Sequence, residues 1–291
     1  MACAGPDRDL PGVVAMVVDK NGDQVFAHAA GQRGHGHDHL GPMQIDTLFW
    51  IASCTKLITS IACMQLVERG VLTLDDTEIV QRHCPELRHV RVLQPDGRLV
   101  EKQRDITLRM LLSHTAGFGY SFIDANLRDH NRPAGYNEFS GQKEDFLQPL
   151  IHQPGEAWEY GLLSRETVDE MFRNQIPHLA PLNGKHMPAA KPGLTTAATG
   201  LQPTVDGNRQ GWGLTFLLSG GDTGRSIGTA QWTGLPNLRW WCDRENGVAN
   251  NFYAQILPFG DLKAFSLAGE IERQVYAGLS EARGGEKKRP C

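Results

Sequence analysis

The clearest helical pattern in the chain is Phe49-Trp-Ile-Ala-Ser-Cys-Thr-Lys-Leu-Ile-Thr-Ser-Ile-Ala-Cys-Met-Gln-Leu-Val-Glu-Arg-Gly70. Its apolar residues recur with a period close to 3.6, which is typical of a helix: Leu57, Ile58, Ile61, Met64, Leu66 and Val67. Gly70 stands where a glycine commonly ends a helix. Ser53 and Lys56 lie at the start, three residues apart. In a helix this spacing places both side chains on one face, one turn apart.

Ser53 and Lys56 in this arrangement suit nucleophilic catalysis. A serine hydroxyl is a weak nucleophile until a neighbouring base takes its proton. A lysine among apolar residues can give up its charge and act as that base. The N-terminus of a helix adds positive potential that favours a developing anion. The alternative is a helix-capping serine followed by a surface lysine, and on the S-x-x-K motif alone this alternative is favoured because four-residue matches are common by chance.

The composition is typical of a globular protein. The chain has 291 residues, 40% of them hydrophobic, enough for one large domain or two closely joined lobes. The net charge is −4 and no long basic run is present, so nucleic acid is not an expected partner. No apolar run reaches the roughly 18 residues that a membrane span requires, so no membrane association is expected.

The N-terminus and the cysteines bear on the compartment. Residues Met1–Asp9 contain no apolar core, so no secretory signal is expected. The six cysteines, at positions 3, 54, 63, 84, 242 and 291, form no C-x-x-C pair and no zinc-finger spacing. We therefore expect reduced thiols in a cytoplasmic protein.

The remaining segments predict strands at both ends of the chain and helices between them. Pro11–Asp19 and Gln24–Gly31 are typical of a hairpin, joined at an Asn-Gly turn. Ile106–Gly117 predicts a short helix with Thr107 as its N-cap and Gly117 at its end. The other predicted elements are a helix over 162–172, strands over 211–218, 228–234, 237–243 and 247–257, and a C-terminal helix over Leu262–Leu279.

Several histidines are candidate functional residues. The alternating His35, His37 and His39 suit a metal site, but a Gly-rich polar loop is favoured because no carboxylate or cysteine cluster completes a ligand set. His114 has a catalytic interpretation and a structural one, and the structural one, a histidine at a helix end, is favoured. No metal is predicted. The sequence has no G-x-G-x-x-G or phosphate loop, so no cofactor is predicted either.

A second serine motif, Gly224-Arg-Ser-Ile-Gly228, matches the G-x-S-x-G nucleophile elbow of α/β hydrolases. That elbow needs a strand before it and a helix after it, and a histidine later in the chain. Here a strand pattern follows, and no histidine occurs after His186. The α/β-hydrolase interpretation of Ser226 is therefore disfavoured.

Four segments are more specific than any single motif: Leu48-Phe-Trp-Ile-Ala-Ser-Cys-Thr-Lys56, Ile106-Thr-Leu-Arg-Met-Leu-Leu-Ser-His-Thr-Ala-Gly117, Pro154-Gly-Glu-Ala-Trp-Glu-Tyr-Gly161 and Gly228-Thr-Ala-Gln-Trp-Thr-Gly-Leu-Pro-Asn237. Together they resemble the class C β-lactamase-like serine hydrolases. Within that family the nearest resemblance is to the fungal branch of lovastatin-type acyltransferases and related esterases. The segments occur in the family's order and span most of the chain.

The resemblance implies three catalytic residues. Ser53 would be the acylated nucleophile, and Lys56 would take its proton. Tyr160 would be a partner in proton transfer, with a phenolic pKa that nearby positive charge must lower. Taken alone, Tyr160 would favour an aromatic core residue.

The resemblance also implies a substrate-binding strand. Trp232, Thr233 and Gly234 stand where β-lactamases carry Lys-Thr-Gly, whose lysine recognises the carboxylate of the drug. Trp232 cannot do so, which indicates an ester or thioester without that anchor, although Trp232 taken alone would favour an aromatic core residue. The oxyanion hole would be the backbone N–H of Ser53 and one on this strand near Thr233.

One departure from the family is expected to alter the pocket. In the family a long helical and loop section separates the Tyr-Gly pair from the segment that resembles Leu163–Phe172. Here Gly161 leads directly into that segment, and the customary N-terminal helix before Pro11 is short or missing. We therefore expect an internal deletion after Gly161 and an opened, less complete acyl pocket.

These inferences predict a single β-lactamase/transpeptidase-like domain over residues 1–291, of the α/β (α+β) class. An antiparallel sheet, flanked by N- and C-terminal helices, would form a sheet lobe over about 11–50 and 211–280. A shortened helical lobe would cover about 51–200.

The expected function is acyl transfer through an acyl-Ser53 intermediate, as an esterase or transesterase of secondary metabolism. The expected partners are a small-molecule ester or thioester substrate and an acyl carrier. The alternative is a catalytically inactive binding protein of the same fold, or a decayed paralogue.

Overall fold

The protein is described from a computed structural model, which describes residue 3 and residues 8–34, 41–140, 142–158, 168–178, 188–197 and 210–286. In chain order the strands within these ranges are β1 (Gly12–Asp19), β2 (Gln24–Gly31), β3 (Val92–Leu93), β4 (Leu99–Val100), β5 (Gly211–Trp212), β6 (Leu217–Ser219), β7 (Thr229–Gly234), β8 (Leu238–Asp243) and β9 (Val248–Tyr253). The helices are α1 (Thr55–Glu68), α2 (Thr77–His83), α3 (Leu108–Leu112), α4 (Ala125–Asn131), α5 (Val168–Met171) and α6 (Leu262–Glu286).

Contacts along the chain define two compact units. The first contains the chain up to Cys54 and from Leu218 onwards, and the second contains Thr55–Ala198 and Gly211–Leu217. The single-domain assignment and its lobe boundaries stay predictions.

The first unit is built on an antiparallel sheet. Six of the seven strands of the main sheet lie wholly or mostly in this unit, in the order β2-β1-β9-β8-β7-β6. β1 pairs antiparallel with β2 and β9, and β8 pairs antiparallel with β7 and β9. The predicted antiparallel sheet, made from strands at both ends of the chain, is confirmed.

The hairpin of β1 and β2 follows from its turn residues. Asp19 accepts hydrogen bonds at Oδ1 from the backbone N–H groups of Asn21 (2.8 Å) and Asp23 (2.9 Å). Gly22 has a φ of 87°, which glycine adopts without strain. The Asn-Gly turn is therefore where the sequence predicts it.

α6 packs against this sheet. One buried cluster combines apolar residues of α6 and β1, of β9 and the residue after it, and of the segment before β1. Its members are Leu10, Val13, Ala15, Phe252, Ala254, Ala264 and Ala268. α6 runs to Glu286, beyond the predicted end at Leu279. Residues 8–11, the described chain directly before β1, contain no helix. Within the described residues, the predicted C-terminal flanking helix is present and the predicted N-terminal one is not.

The second unit contains α1. Gly70 follows it with a φ of 69° and donates its N–H to Val67 O at 2.8 Å, as a helix-ending glycine does. The buried face of α1 consists of Lys56, Ser60 and Met64, one turn apart from each other. Ile58, by contrast, is 59% exposed. The buried row of α1 therefore includes a lysine and a serine beside the apolar Met64.

Local backbone conformation corrects other predicted boundaries. Thr107 caps α3 as expected, accepting the N–H of Met110 at 3.2 Å. The helix ends at Leu112, before the predicted Gly117, because His114 has a left-handed φ of 56°. Similarly, the predicted strand over 211–218 is broken into β5 and β6 by a turn in which Gly213 N–H donates to Phe216 O at 2.9 Å.

Other predictions fall partly outside the described residues. Of the helix predicted over 162–172, the described part is α5. The five cysteines within the described ranges form no disulfide with one another. No helix in those ranges is both long and apolar enough to cross a membrane.

Candidate active site

Ser53 lies in a single 3-10 turn, Ala52–Cys54, that leads directly into α1. The turn is closed by the N–H of Cys54, which donates to Ile51 O at 2.9 Å, and Ala52 has a left-handed φ of 43°. Ser53 is half-buried, whereas Cys54 is buried. The α-helix thus begins two residues after Ser53, and Ser53 belongs to the tighter turn that precedes it.

Strand β7 lies against this turn, in the first unit. A side chain at Gly234 would come within 2.9 Å of Ile51 O and 3.3 Å of Cys54 Sγ. Glycine is therefore the residue that lets the two backbones approach so closely. The structure places Ser53 and the end of the predicted substrate-binding strand side by side.

Trp232 and Thr233 point to opposite faces of the sheet, since side chains alternate along a strand. Trp232 shares a face with Gly234 and, directly across on β8, with Trp240. Trp232 is 6% exposed. Thr233 is opposite Arg239, whose guanidinium lies 5.2 Å from the ring centroid of Phe265 on α6. On the side of the sheet that faces the Ser53 turn, Thr233 thus contributes its backbone and not its side chain.

Tyr253 is a residue of this face that the sequence reasoning missed. It is opposite Leu238, which in turn is opposite Gly234, so all three side-chain positions share one face. Its ring centroid lies 5.3 Å from that of Phe49. Burial, and then the electrostatic effect of the nearby Cys54, raise the pKa of Tyr253 to about 12. The alternation of β8 and β9 could have identified it once the strand register was known.

Lys56 lies in the first turn of α1, in the second unit. It is 7% exposed, which contradicts the alternative of a surface lysine. Its Nζ is 5.5 Å from the ring centroid of Tyr120, a cation–π geometry, and the Tyr120 ring stacks on Phe122 at 4.7 Å. Tyr120 is a second residue that the sequence reasoning missed, since a tyrosine in a loop carries no periodic signal.

His114 is a buried imidazole in the same unit. It is 2% exposed and its ring contacts Trp212 and Trp158 edge-on, with centroid distances of 5.0 Å and 6.4 Å. Burial, and then the positive charge of Lys56, hold the pKa of His114 well below its ordinary value. The position, at the end of α3 between two tryptophans, favours the structural interpretation of this histidine.

Ser226 has a structural environment. Its N–H donates to Asp243 Oδ2 at 2.9 Å, and its hydroxyl accepts from Asn246 Nδ2 at 2.8 Å. β7 begins three residues later, so a strand follows the serine where a nucleophile elbow needs a helix.

Three predictions concern residues outside the described ranges. They are Tyr160 as third catalytic residue, the histidine loop at 35–39, and the deletion after Gly161.

Comparison with known proteins assigns the chain a family and gives it close fungal relatives. The profile of the family described as Beta-lactamase matches residues 2–165. Monacolin J acid methylbutanoyltransferase of Aspergillus terreus is 36% identical over 164 residues, which make up 53% of this chain and 39% of that protein. Lovastatin esterase of Penicillium rubens is 36% identical over 162 residues, 52% of this chain and 40% of that protein. The chain thus spans about two fifths of the length of these curated relatives.

Solved structures share the fold along nearly the whole chain. Unliganded simvastatin synthase (LovD) from Aspergillus terreus matches with a TM-score of 0.68 at 23% identity, over 94% of this chain and 95% of that one. EstCE1, a hydrolase with promiscuous acyltransferase activity, matches with a TM-score of 0.61 at 19% identity, over 92% and 94%. These matches confirm the predicted mixed α/β fold with an antiparallel sheet and helices.

Proposed function

Because this chain belongs to the β-lactamase family, we propose that it is a serine acyl-transfer enzyme in which Ser53 carries the acyl group and Lys56 takes the serine proton. The observation that carries the proposal is the approach of β7 to the Ser53 turn, made possible by Gly234. It supports an oxyanion hole formed by the backbone N–H of Ser53 and one near Thr233.

The burial of Lys56 supports its role as the base. Its Nζ lies 5.5 Å from the centroid of the Tyr120 ring in a largely buried environment, where an ammonium is less well solvated than in water, and this favours the neutral amine that a base requires. Lys56 lies three positions after Ser53 in the chain. A surface lysine, which is fully hydrated, would be a much weaker candidate.

The reaction has two steps. In the first, the Ser53 hydroxyl proton passes to Lys56 Nζ while Oγ attacks the carbonyl carbon. The tetrahedral oxyanion then collapses to acyl-Ser53 and expels an alcohol or thiol, which takes up the proton, with Tyr160 as the proposed relay. In the second, water or an alcohol attacks the acyl group, its proton returns to Ser53, and an acid or a new ester leaves.

The substrate class follows from Trp232. The family resemblance aligns Trp232 with the lysine that anchors a drug carboxylate in β-lactamases, and an indole carries no charge. We therefore propose a small ester or thioester without that carboxylate anchor, with an acyl carrier as the thioester donor. One relative is named as a methylbutanoyltransferase and another as an esterase. The first name supports an alcohol as the acyl acceptor, and the second supports water.

A binding protein without catalysis is the second candidate. The observation that favours it is the short match to the curated relatives, 39% of the length of the first. The two candidates differ in turnover, since a binding protein would hold the ester without releasing product.

Hydrolysis of a p-nitrophenyl ester, measured with and without an added alcohol, tests the proposal. We expect release of p-nitrophenol that is abolished in Ser53→Ala and Lys56→Ala, and a new ester when the acceptor is an alcohol. If folded protein binds the ester but releases no p-nitrophenol, the proposal of an enzyme is wrong and the alternative of a binding protein is supported.

A further inference from the structure

Thr215 is held in a conformation that its side chain disfavours. It lies in the turn between β5 and β6, is 1% exposed, and has a left-handed φ of 75°. A β-branched residue is rarely found in this region, where glycine is unstrained. Such strain persists where the surrounding contacts enforce it, and it is concentrated at functional sites.

Two hydrogen bonds hold Thr215 in place. Its N–H donates to Leu112 O, at the end of α3, at 2.9 Å. Its Oγ1 lies 3.0 Å from Oγ of Ser60, which is completely buried on α1. All three residues belong to the second unit. The hydroxyl of Thr215 thus extends from the strained turn to the buried face of α1.

Ser60 connects Thr215 to Lys56 through a second hydrogen bond. Its hydroxyl donates to Lys56 O at 2.8 Å, one helical turn earlier. A serine hydroxyl has a single proton but can also accept, so when Ser60 donates to Lys56 O, Thr215 can donate to Ser60 Oγ. A serine in a helix commonly makes the first of these bonds by itself. The second bond fixes the rotamer of Ser60 and with it the carbonyl of Lys56.

We propose that Thr215 is a positioning residue for acyl transfer: its hydroxyl, acting through Ser60, fixes the first turn of α1, which carries Lys56. This rests on the proposed function, because it assigns Thr215 a part in how Lys56 is aimed at the proton of Ser53. It gives a role to the threonine at a position where glycine would relieve the backbone. A misplacement of about 1 Å in a reacting group can cost up to roughly 10²-fold in rate.

Four variants separate the hydroxyl from the backbone strain. Thr215→Ser keeps the hydroxyl, Thr215→Val keeps the shape without it, and Thr215→Gly removes the hydroxyl while relieving the strain. Ser60→Ala removes the intermediate group. The readouts are the rate constant for modification of Ser53 by a fluorophosphonate across pH, and the melting temperature.

The proposal predicts that Thr215→Ser reacts at the wild-type rate. Thr215→Val, Thr215→Gly and Ser60→Ala should each react about tenfold more slowly, and Thr215→Gly should do so without a lower melting temperature than Thr215→Val. The Thr215→Val/Ser60→Ala double variant should lose little more than either single variant, because both act through one contact. Wild-type rates in Thr215→Gly and Ser60→Ala would overturn the proposal.

A second measurement tests the role of Thr215 independently of the proposed acyl transfer. In Ser53→Ala protein, the labelling of Lys56 by acetic anhydride across pH, followed by peptide mass spectrometry, reports the Lys56 amine without any acyl-Ser53 chemistry. A labelling profile changed by Thr215→Val and restored by Thr215→Ser supports the positioning role. A profile identical in all variants contradicts it. Failure of the proposed function would instead appear as wild-type protein that never forms a Ser53 adduct.

Discussion

His114 and Lys56 show how two basic groups share one buried environment. His114 is enclosed by Trp158 and Trp212, and the charge of Lys56 adds to burial in lowering its pKa. The folded protein therefore keeps this imidazole neutral at pH values where a histidine in an unfolded chain takes up a proton. The consequence is a stability that depends on pH.

His114 should make the protein less stable as the pH falls. The unfolded chain binds a proton near pH 6.5 that folded His114 does not bind, so unfolding is favoured below that pH by up to about 1.4 kcal/mol per pH unit. His152, whose pKa is also lowered by burial, adds in the same direction. His114→Asn, which tolerates a positive φ, should therefore lose less unfolding free energy than wild type between pH 7.5 and 5.

Urea unfolding at the two pH values measures this difference. The matched control is His83→Asn, since His83 is exposed on α2; it should retain the wild-type pH dependence. An unchanged pH dependence in His114→Asn would show that another group is responsible.

At the scale of elements, Asn237 joins the β7–β8 connection to the segment before α6. It is completely buried and has a left-handed φ of 57°, a conformation that asparagine tolerates better than most residues. Its Nδ2 donates to Ile256 O (2.9 Å) and Pro258 O (2.8 Å). Its Oδ1 accepts from the N–H groups of Gly260 (2.9 Å) and Asp261 (3.0 Å).

Replacing Asn237 should cost more than replacing an exposed asparagine. Asn237→Ala removes the partner of four backbone groups, of which the N–H of Gly260 is in a buried bond and the other three are in part-buried bonds. Because an unsatisfied buried group costs about 1–3 kcal/mol, we expect a loss of at least about 2 kcal/mol in the free energy of unfolding. Asn126→Ala, which removes an exposed bond to Gln94 O, should cost less than about 1 kcal/mol. Urea unfolding compares the two. Similar costs would contradict the role of Asn237 as a buried junction.

The loop before β7 is tied to α6 by a buried ion pair. Arg225 and Glu272 have side chains that are 0% and 4% exposed, and Arg225 Nε donates to Glu272 Oε1 at 2.6 Å. Thr223 donates to the same carboxylate. Breaking a buried pair by removing one charge leaves the other uncompensated.

Glu272→Gln should therefore be strongly destabilising, by about 3–5 kcal/mol. The matched control on the same helix is Glu270→Gln, since Glu270 pairs with Arg273 at the surface and exposed pairs contribute little to stability. Differential scanning calorimetry of both variants would show the contrast. Equal melting temperatures would mean that the buried pair contributes no more than the exposed one.

Helices and strands with a local sequence signal could be predicted. The points at which the backbone breaks a strand or ends a helix early could not. The β1–β2 hairpin, the Thr107 cap and α6 follow from turn residues, capping residues and periodicity. The break between β5 and β6 depends on Thr215 at a positive φ, which contradicts its local preference and is enforced by contacts with Leu112 and Ser60. The early end of α3 at His114 has the same kind of cause.

At the scale of the whole molecule, the candidate site could be predicted where a motif marks it. Ser53, Lys56, Trp232 and Gly234 carry family motifs. The structure places Gly234 of β7 beside the Ser53 turn and buries the lysine. Tyr253 and Tyr120 carry no motif. Their places depend on strand register and on the packing of a loop, which a single sequence does not specify.

The family and the fold are established for the chain, whereas its chemistry is a proposal. The profile match covers residues 2–165, and the solved structures share the fold along nearly the whole chain. The curated relatives match over about half of the chain. Activity therefore depends on whether Ser53 and Lys56 work together in this protein.

Modification by a fluorophosphonate, followed by peptide mass spectrometry of the folded protein, tests this most directly. The measurement compares wild type with Ser53→Ala and with Ser226→Ala, the serine of the G-x-S-x-G match. We predict an adduct on the Ser53 peptide in wild type and in Ser226→Ala, and none in Ser53→Ala. Folded wild-type protein without an adduct on Ser53, or an adduct that persists on Ser226 in Ser53→Ala, would contradict the account.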